Sequence, residues 1–198
     1  AMVIACLYKK MLRDLLHMKA QILTISMVVA IGVGVLVGFL STYDSLKWAQ
    51  DLFYSQARFS HAFVELQKAP RARLKELEKI PGVLHVEGRV LHDALASIPG
   101  QKTPATLRLI SIPSDTPSFQ NKIFLREGRL PLKGSLDEIV LSESFANANH
   151  LKLGDRFSIL LNGKTRWLKI AGIGFSPEYV FTLAPSGLPD DLHFGILW

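Results

Sequence analysis

The sequence predicts an α+β protein. An N-terminal interfacial helix and one transmembrane helix come first. A mixed α/β extracytoplasmic domain follows, with a small α/β subdomain and then a mostly β subdomain. Three observations lead there. Residues 20–43 contain no charged side chain, whereas charge recurs throughout residues 44–198. Ahead of that stretch, apolar residues recur at helical spacing. Beyond residue 60, short apolar–polar alternations are separated by Pro, Gly and Asn turns. The domains expected are a cytoplasmic amphipathic helix at 1–19, a transmembrane helix at 20–41 and an extracytoplasmic domain at 42–198.

The leader places Ile4, Leu7, Tyr8, Met11, Leu12, Leu15 and Leu16 on one helical face. Lys9, Lys10, Arg13, Asp14 and His17 take the other. A basic amphipathic helix of this kind lies flat in the inner leaflet interface or packs on neighbouring membrane helices or a cytoplasmic partner. Val3-Ile4-Ala5-Cys6 has the form of a lipoprotein acylation site, but that site needs an apolar signal stretch before it, and only two residues precede it. Cys6 reads instead as an apolar helix position. As the single cysteine, it excludes an internal disulfide framework.

At ~1.5 Å per residue, the helix of residues 20–40 covers roughly 30 Å, the depth of a bilayer core. Gln21, Thr24 and Ser26 sit at its first end, and Gly34 and Gly38 form a small-xxx-small face near its second. Secretory signals have shorter apolar cores, of about 7–15 residues, and a small-residue cleavage site. Residues 39–43 offer none, so the helix reads as an uncleaved anchor. Residues 1–40 hold four basic residues against one acid, and Asp44 and Asp51 follow the span. The positive-inside rule then puts the N-terminus in the cytoplasm and the bulk outside.

Residues 41–58 keep helical spacing at Leu46, Ala49, Leu52 and Phe53, as a stalk continuing the span. A strand is expected at 61–66. A helix opens at Pro70, lines Leu74, Leu77 and Ile80 on one face, and stops at Pro81-Gly82. Leu84, Val86 and Val90 alternate with His85, Glu87 and Arg89 as a strand with one wet face. Residues 98–137 are rich in Pro, Gly and Ser, with one strand at 105–112. A strand at 138–141 leads to a helix at 143–150, capped by Ser142. Gly154-Asp155 turns the chain into Phe157, Ile159 and Leu161. Asn162-Gly163 is a hairpin turn, and 167–173 is the returning strand.

No catalytic, cofactor-binding or metal residue is assigned. Asn162-Gly163-Lys164-Thr165 ends like a phosphate loop, but Ser158 stands where its first glycine belongs, and a strand rather than a helix follows. His85 and His92 lack ligand-spaced carboxylates or cysteines. Ser142 and Ser144 lack a nucleophile context. Asp137-Glu138 and Asp190-Asp191 read as solvated turns. The net charge of +6 is spread without a dense basic stripe, which excludes nucleic acid as a partner. The chain is not read as an enzyme.

The ordered set REGRLP (126–131), DEIVLSESFANANHLKLGDRFSILLNGKTRWLKIAGIGFSPEYVF (137–181) and LPDDLHFGILW (188–198) resembles the extracytoplasmic domain of FtsX-like, MacB-type ABC transporter permeases. The features that carry it are Gly128-Arg129, the Ser142/Phe145-Ala146 helix, Gly154-Asp155, Ser176-Pro177-Glu178 and Phe194-Gly195. Ile80-Pro81-Gly82-Val83 is similar to the family's first α/β subdomain. The resemblance implies a permease subunit of the bacterial inner membrane, of the lipoprotein-releasing or macrolide-export class. It also implies a cytoplasmic ABC ATPase partner, a homo- or heterodimer of permeases, a periplasmic partner, and export or extraction of a lipophilic substrate or lipoprotein. Such permeases carry further membrane helices, so this chain is expected to be an N-terminal fragment with an incomplete outer domain. The rival reading is a single-pass anchored binding or scaffold module without transport activity.

Overall fold

The structure, a computed structural model, describes residues 2–113 and 118–198, without the side chains of residues 2–6, Leu12 and Leu16. The apolar positions expected at Ile4, Leu12 and Leu16, and the reading of Cys6, therefore lie outside the described side chains. The chain divides into two compact units, residues 1–52 and 53–198.

The first unit is helical. Helix α1 spans Met2–His17 and α2 spans Lys19–Ala57, a run of 39 residues. Helical hydrogen bonds continue past Met18, from its N–H to Asp14 O and from Ile22 N–H to its own carbonyl. Among the described residues one helix, α2, is long and apolar enough to cross a membrane. Its apolar window buries no residue against the protein, and Leu23, Ile25, Val29, Leu36 and Phe39 are all exposed. Such a surface suits a hydrocarbon solvent. The hydroxyls of Thr24 and Thr42 bond back to the carbonyls of Ala20 and Gly38, each at 2.8 Å, which satisfies them without an outside partner. A Cβ added at Gly34 or Gly38 would meet nothing within 4 Å, so their small-residue face is open.

Among the described residues the second unit is built on a sheet of seven strands: β1 Leu91–Ser97, β2 Ala105–Ile110, β3 Phe124–Gly128, β4 Glu138–Ser142, β5 Arg156–Leu161, β6 Lys164–Phe175 and β7 Phe194–Leu197. Their order is β3-β6-β4-β7-β2-β1-β5, and β6 pairs with β5 as well, so six strands close into a barrel. The 12-residue β6 makes closure possible. Its first half pairs with β5, from Leu161↔Lys164 to Arg156↔Lys169. Its second half runs parallel to β4 and antiparallel to β3.

Inside the barrel lie Ala94, Ala96, Leu107, Leu141, Phe157 and Ile159, among others. Helix α4, Glu143–Ala148, adds Phe145 and Ala146 to this core. A Cβ on Gly195 would stand 2.5 Å from Phe145 Cγ, so glycine alone lets α4 sit this close to β7. A second apolar cluster joins Ile110, Val140, Phe194, Ile196 and Trp198 with Tyr179 and Ala184 from the loop after β6.

The α+β class and the order of helix followed by mixed domain hold. Several elements differ. Residues 61–66 and 84–90 form no β-ladder. The helix expected at 70–80 shrinks to a 3-10 turn, Arg71–Arg73, and one α turn, α3, Leu74–Leu77. Pro70 makes no side-chain cap, and two arginines crowd the positive end of the helix dipole. Strands β1, β3 and β7 were not expected. Strand β7 is buried along its whole length, and β1 turns small alanines inward, so neither shows a strong period-two signal. Ser142 stands at the N-cap of α4 without capping it; its Oγ accepts from Ile196 N–H at 3.2 Å instead.

Candidate functional site

A network of polar contacts surrounds the end of α2. The helix ends at the buried Ala57, and Arg58 takes a left-handed backbone, φ 50°. Phe59 N–H bonds Tyr54 O and Arg58 N–H bonds Ser55 O, the pair of a Schellman ending. Arginine stands where glycine is usual, and its guanidinium lies 4.1 Å from the centroid of the Phe119 ring. A helix leaves its last carbonyls without partners. Here the loop before β3 supplies them: Lys122 N–H reaches Ala57 O and Asn121 N–H reaches Arg58 O, both at 3.1 Å.

Asn121 is the centre of this joint. It is buried, and its own φ is 47°. Its Oδ1 accepts from Ser60 N–H at 3.1 Å, and its Nδ2 donates to Ser60 Oγ at 3.0 Å. The same Nδ2 reaches Glu178 Oε2 at 3.4 Å, and Ser176 Oγ donates to the Asn121 carbonyl at 3.4 Å. Glu178 Oε2 is also paired with Arg89 Nη1 at 2.6 Å. Tyr179, next in sequence, is pushed up to about 12 by burial and then by the Glu178 charge. Beside the polar network, Phe53 of α2 packs on Phe124 and Phe175, with ring centroids 5.5 and 6.1 Å away.

This network explains why residues 84–90 are not a strand. His85, Glu87 and Arg89 turn toward protein partners rather than water. His85 Nδ1 lies 3.1 Å from Glu78. Glu87 accepts from Ser118 Oγ and Gln120 N–H. Arg89 takes Glu178. Of the apolar residues, Leu84 and Val90 are left out, 92% and 65% exposed, while Val86 is half-buried. The polar face expected to be wet is thus itself half-buried against partners.

The residues weighed for chemistry are placed apart. Asn162 and Gly163 both have positive φ and form the β5–β6 turn. His92 is exposed. Of the acid pairs, Asp190-Asp191 leads into a turn and Asp137 lies at an exposed bend, as expected, and Glu138 is the exception. Glu138 opens β4 and is held bidentately by Arg129, at 2.8 and 2.6 Å, which together with Leu132 N–H lowers its pKa to about 2. Asp190 accepts from His193 N–H at 3.0 Å and faces its ring nitrogen at 3.1 Å. Among the described residues, no group of three or more His, Cys, Asp or Glu is placed to hold a metal ion. Sequence reasoning missed Arg58, Ser60 and Asn121. The available signal was an asparagine, Asn121, among loop residues just ahead of an apolar run, the residue type most tolerant of left-handed backbone after glycine.

No protein-family model and no curated protein sequence matches the chain. Among solved structures it is similar to the periplasmic region of MacB from Actinobacillus actinomycetemcomitans, at 16% identity and a TM-score of 0.38. The match covers 67% of this chain and 56% of that one, so the chain spans a little over half its length.

Proposed function

We propose that this chain is part of an ABC transporter permease subunit. In this reading α2 crosses the bacterial inner membrane with its N-terminus in the cytoplasm. A cytoplasmic ATPase moves the membrane helices, and the barrel outside handles a lipophilic substrate or a lipoprotein. The observation that supports the reading is the continuity of α2. One helix runs from an apolar half to a last turn held by backbone bonds from Asn121 and Lys122. The ordered resemblance of residues 126–198 to the outer domain of such permeases adds to it. The chain carries no residues assigned to catalysis, and ATP hydrolysis belongs to the partner.

The test is made in the full-length gene product, in membranes. Inserting a flexible Gly-Ser segment after Ala49 should abolish export while the co-purified ATPase keeps its turnover. Unchanged export would refute the coupling. A preparation that holds no ATPase but keeps a stable outer partner would favour the anchored scaffold instead.

A further inference from the structure

The outer face of the barrel carries a surface that the transport reading does not use. Strand pairing lays Thr165–Leu160–Leu95–Thr106 in one row across β6, β5, β1 and β2, and Trp167–Ser158–Ser97 in the next. Side chains alternate across a strand, and Phe157, Ile159 and Leu168 point inward, so these two rows face out. Leu95 and Leu160 are each 48% exposed, directly opposite one another, and Trp167 is 64% exposed beside them. Small hydroxyl residues, Ser97, Thr106, Ser158 and Thr165, surround the three. The next row holds Arg156 opposite Lys169.

That last pair is the informative one. Like charges directly opposite in an antiparallel pair destabilise the sheet. Neither cation makes an ion pair among the described residues. The carboxylate beside Lys169 in the β4–β6 register is Glu138, and both of its oxygens are taken by Arg129. Lys169 therefore feels the Glu138 carboxylate only through space, alongside its pairing with Arg129, and Arg156 makes no ion pair among the described residues, so the barrel keeps a surplus of positive charge at the edge of an exposed apolar centre that contains a tryptophan. An apolar centre with an aromatic anchor and a charged rim is the layout of a protein–protein contact.

We propose that this face docks a segment of a partner protein that sets an apolar side chain on Trp167, Leu160 and Leu95 and an acidic side chain between Arg156 and Lys169. The carboxylate on this face of β1, Asp93, is held bidentately by Arg108, so a second copy of the face has no free acid to set on Arg156, and the occupant is a different surface. A bilayer is also the wrong occupant. Leu95 and Trp167 lie within their strands, and the hairpin tip that projects beyond Leu160 is Asn162-Gly163-Lys164, all exposed and polar. The inference stands on the barrel alone and survives if the transport reading fails.

The experiment places a photo-crosslinking amino acid at Leu160 of the full-length protein in intact cells. A control places it at Leu136, 96% exposed and outside the patch. The expected result is one discrete protein adduct at Leu160 and none at Leu136. Its crosslinked peptide should carry Asp or Glu within a few residues of the attachment point. Arg156→Glu should reduce that adduct at least fivefold while leaving the melting temperature unchanged or higher, because it relieves the repulsion with Lys169. Adducts to lipid, adducts to a second copy, labelling no stronger than at Leu136, or an adduct indifferent to Arg156→Glu would each overturn the proposal.

Discussion

In the barrel, residues 91–198, backbone ladders close the structure and apolar side chains fill it. In residues 59–90 no ladder forms, and charged side chains do the holding, from His85 to Glu78, from Glu87 to Ser118 and from Arg89 to Glu178. The two regions show the same apolar–polar alternation with different outcomes. In β5 the apolar set goes inward. In residues 84–90 the polar set is half-buried against its partners while Leu84 and Val90 are exposed. Period two tells which residues share a face, and not which face is buried. That is decided by whether a neighbouring strand is present or a set of polar partners.

If the barrel rests on packing, truncating its plug should have the largest effect. Phe145 is fully buried and sits on Gly195. Phe145→Ala should cost about 3–5 kcal/mol in urea or thermal unfolding. A loss below about 1 kcal/mol would mean that the core collapses around the gap, and the contrast with residues 59–90 would weaken.

The joint should respond less. Asn121→Ala removes the side-chain bonds to Ser60 and Glu178 and puts alanine at a left-handed φ. Unsatisfied buried groups of this kind cost about 1–3 kcal/mol. Hydrogen exchange should rise at the Ser60 amide, which loses its acceptor, while the β5–β6 ladder stays protected. Exchange that rises equally in both would show that the joint and the barrel unfold as one.

Acid sharpens the comparison within the barrel. The Glu138 pKa is depressed, so its pairing with Arg129 favours the fold above the ordinary carboxylate range. That contribution fades as pH falls from about 4.5 toward about 2. Glu138→Gln should flatten the pH dependence of stability in that window, so that the variant and the unaltered protein differ most above about pH 4.5 and converge toward about pH 2. An unchanged slope would show that other carboxylates carry the acid sensitivity.

The smallest effect belongs to the exposed Leu84. Leu84→Ser should change stability by no more than about 0.5 kcal/mol, since the side chain is already in solvent. A larger loss, read in the same unfolding measurement, would place Leu84 under cover.

The helix and the hairpin were legible in the sequence because each carries a local signal: an uncharged run long enough for a bilayer, and an Asn-Gly between alternating strands. Strand β7 was not, because Phe194, Gly195, Ile196 and Leu197 are all buried and show no period. Strand β1 hides behind Ala94 and Ala96, which fill the barrel by being small. Barrel closure rests on β6 pairing with β5 along one half and with β4 along the other, which no local pattern reports. The joint was invisible for a related reason. Ser60 and Asn121 are 61 residues apart, and each is an ordinary loop residue until the other is beside it.

The membrane placement of α2 is tested most directly by labelling with an impermeant maleimide in intact spheroplasts. Cys6 is first replaced by serine, and single cysteines are then placed at His17 and at Leu136. Labelling at Leu136→Cys alone, with His17→Cys reacting only after the membrane is opened, is the expected result. Labelling of His17→Cys from outside, or protection of Leu136→Cys, would contradict a helix that crosses the bilayer with residues 53–198 beyond it.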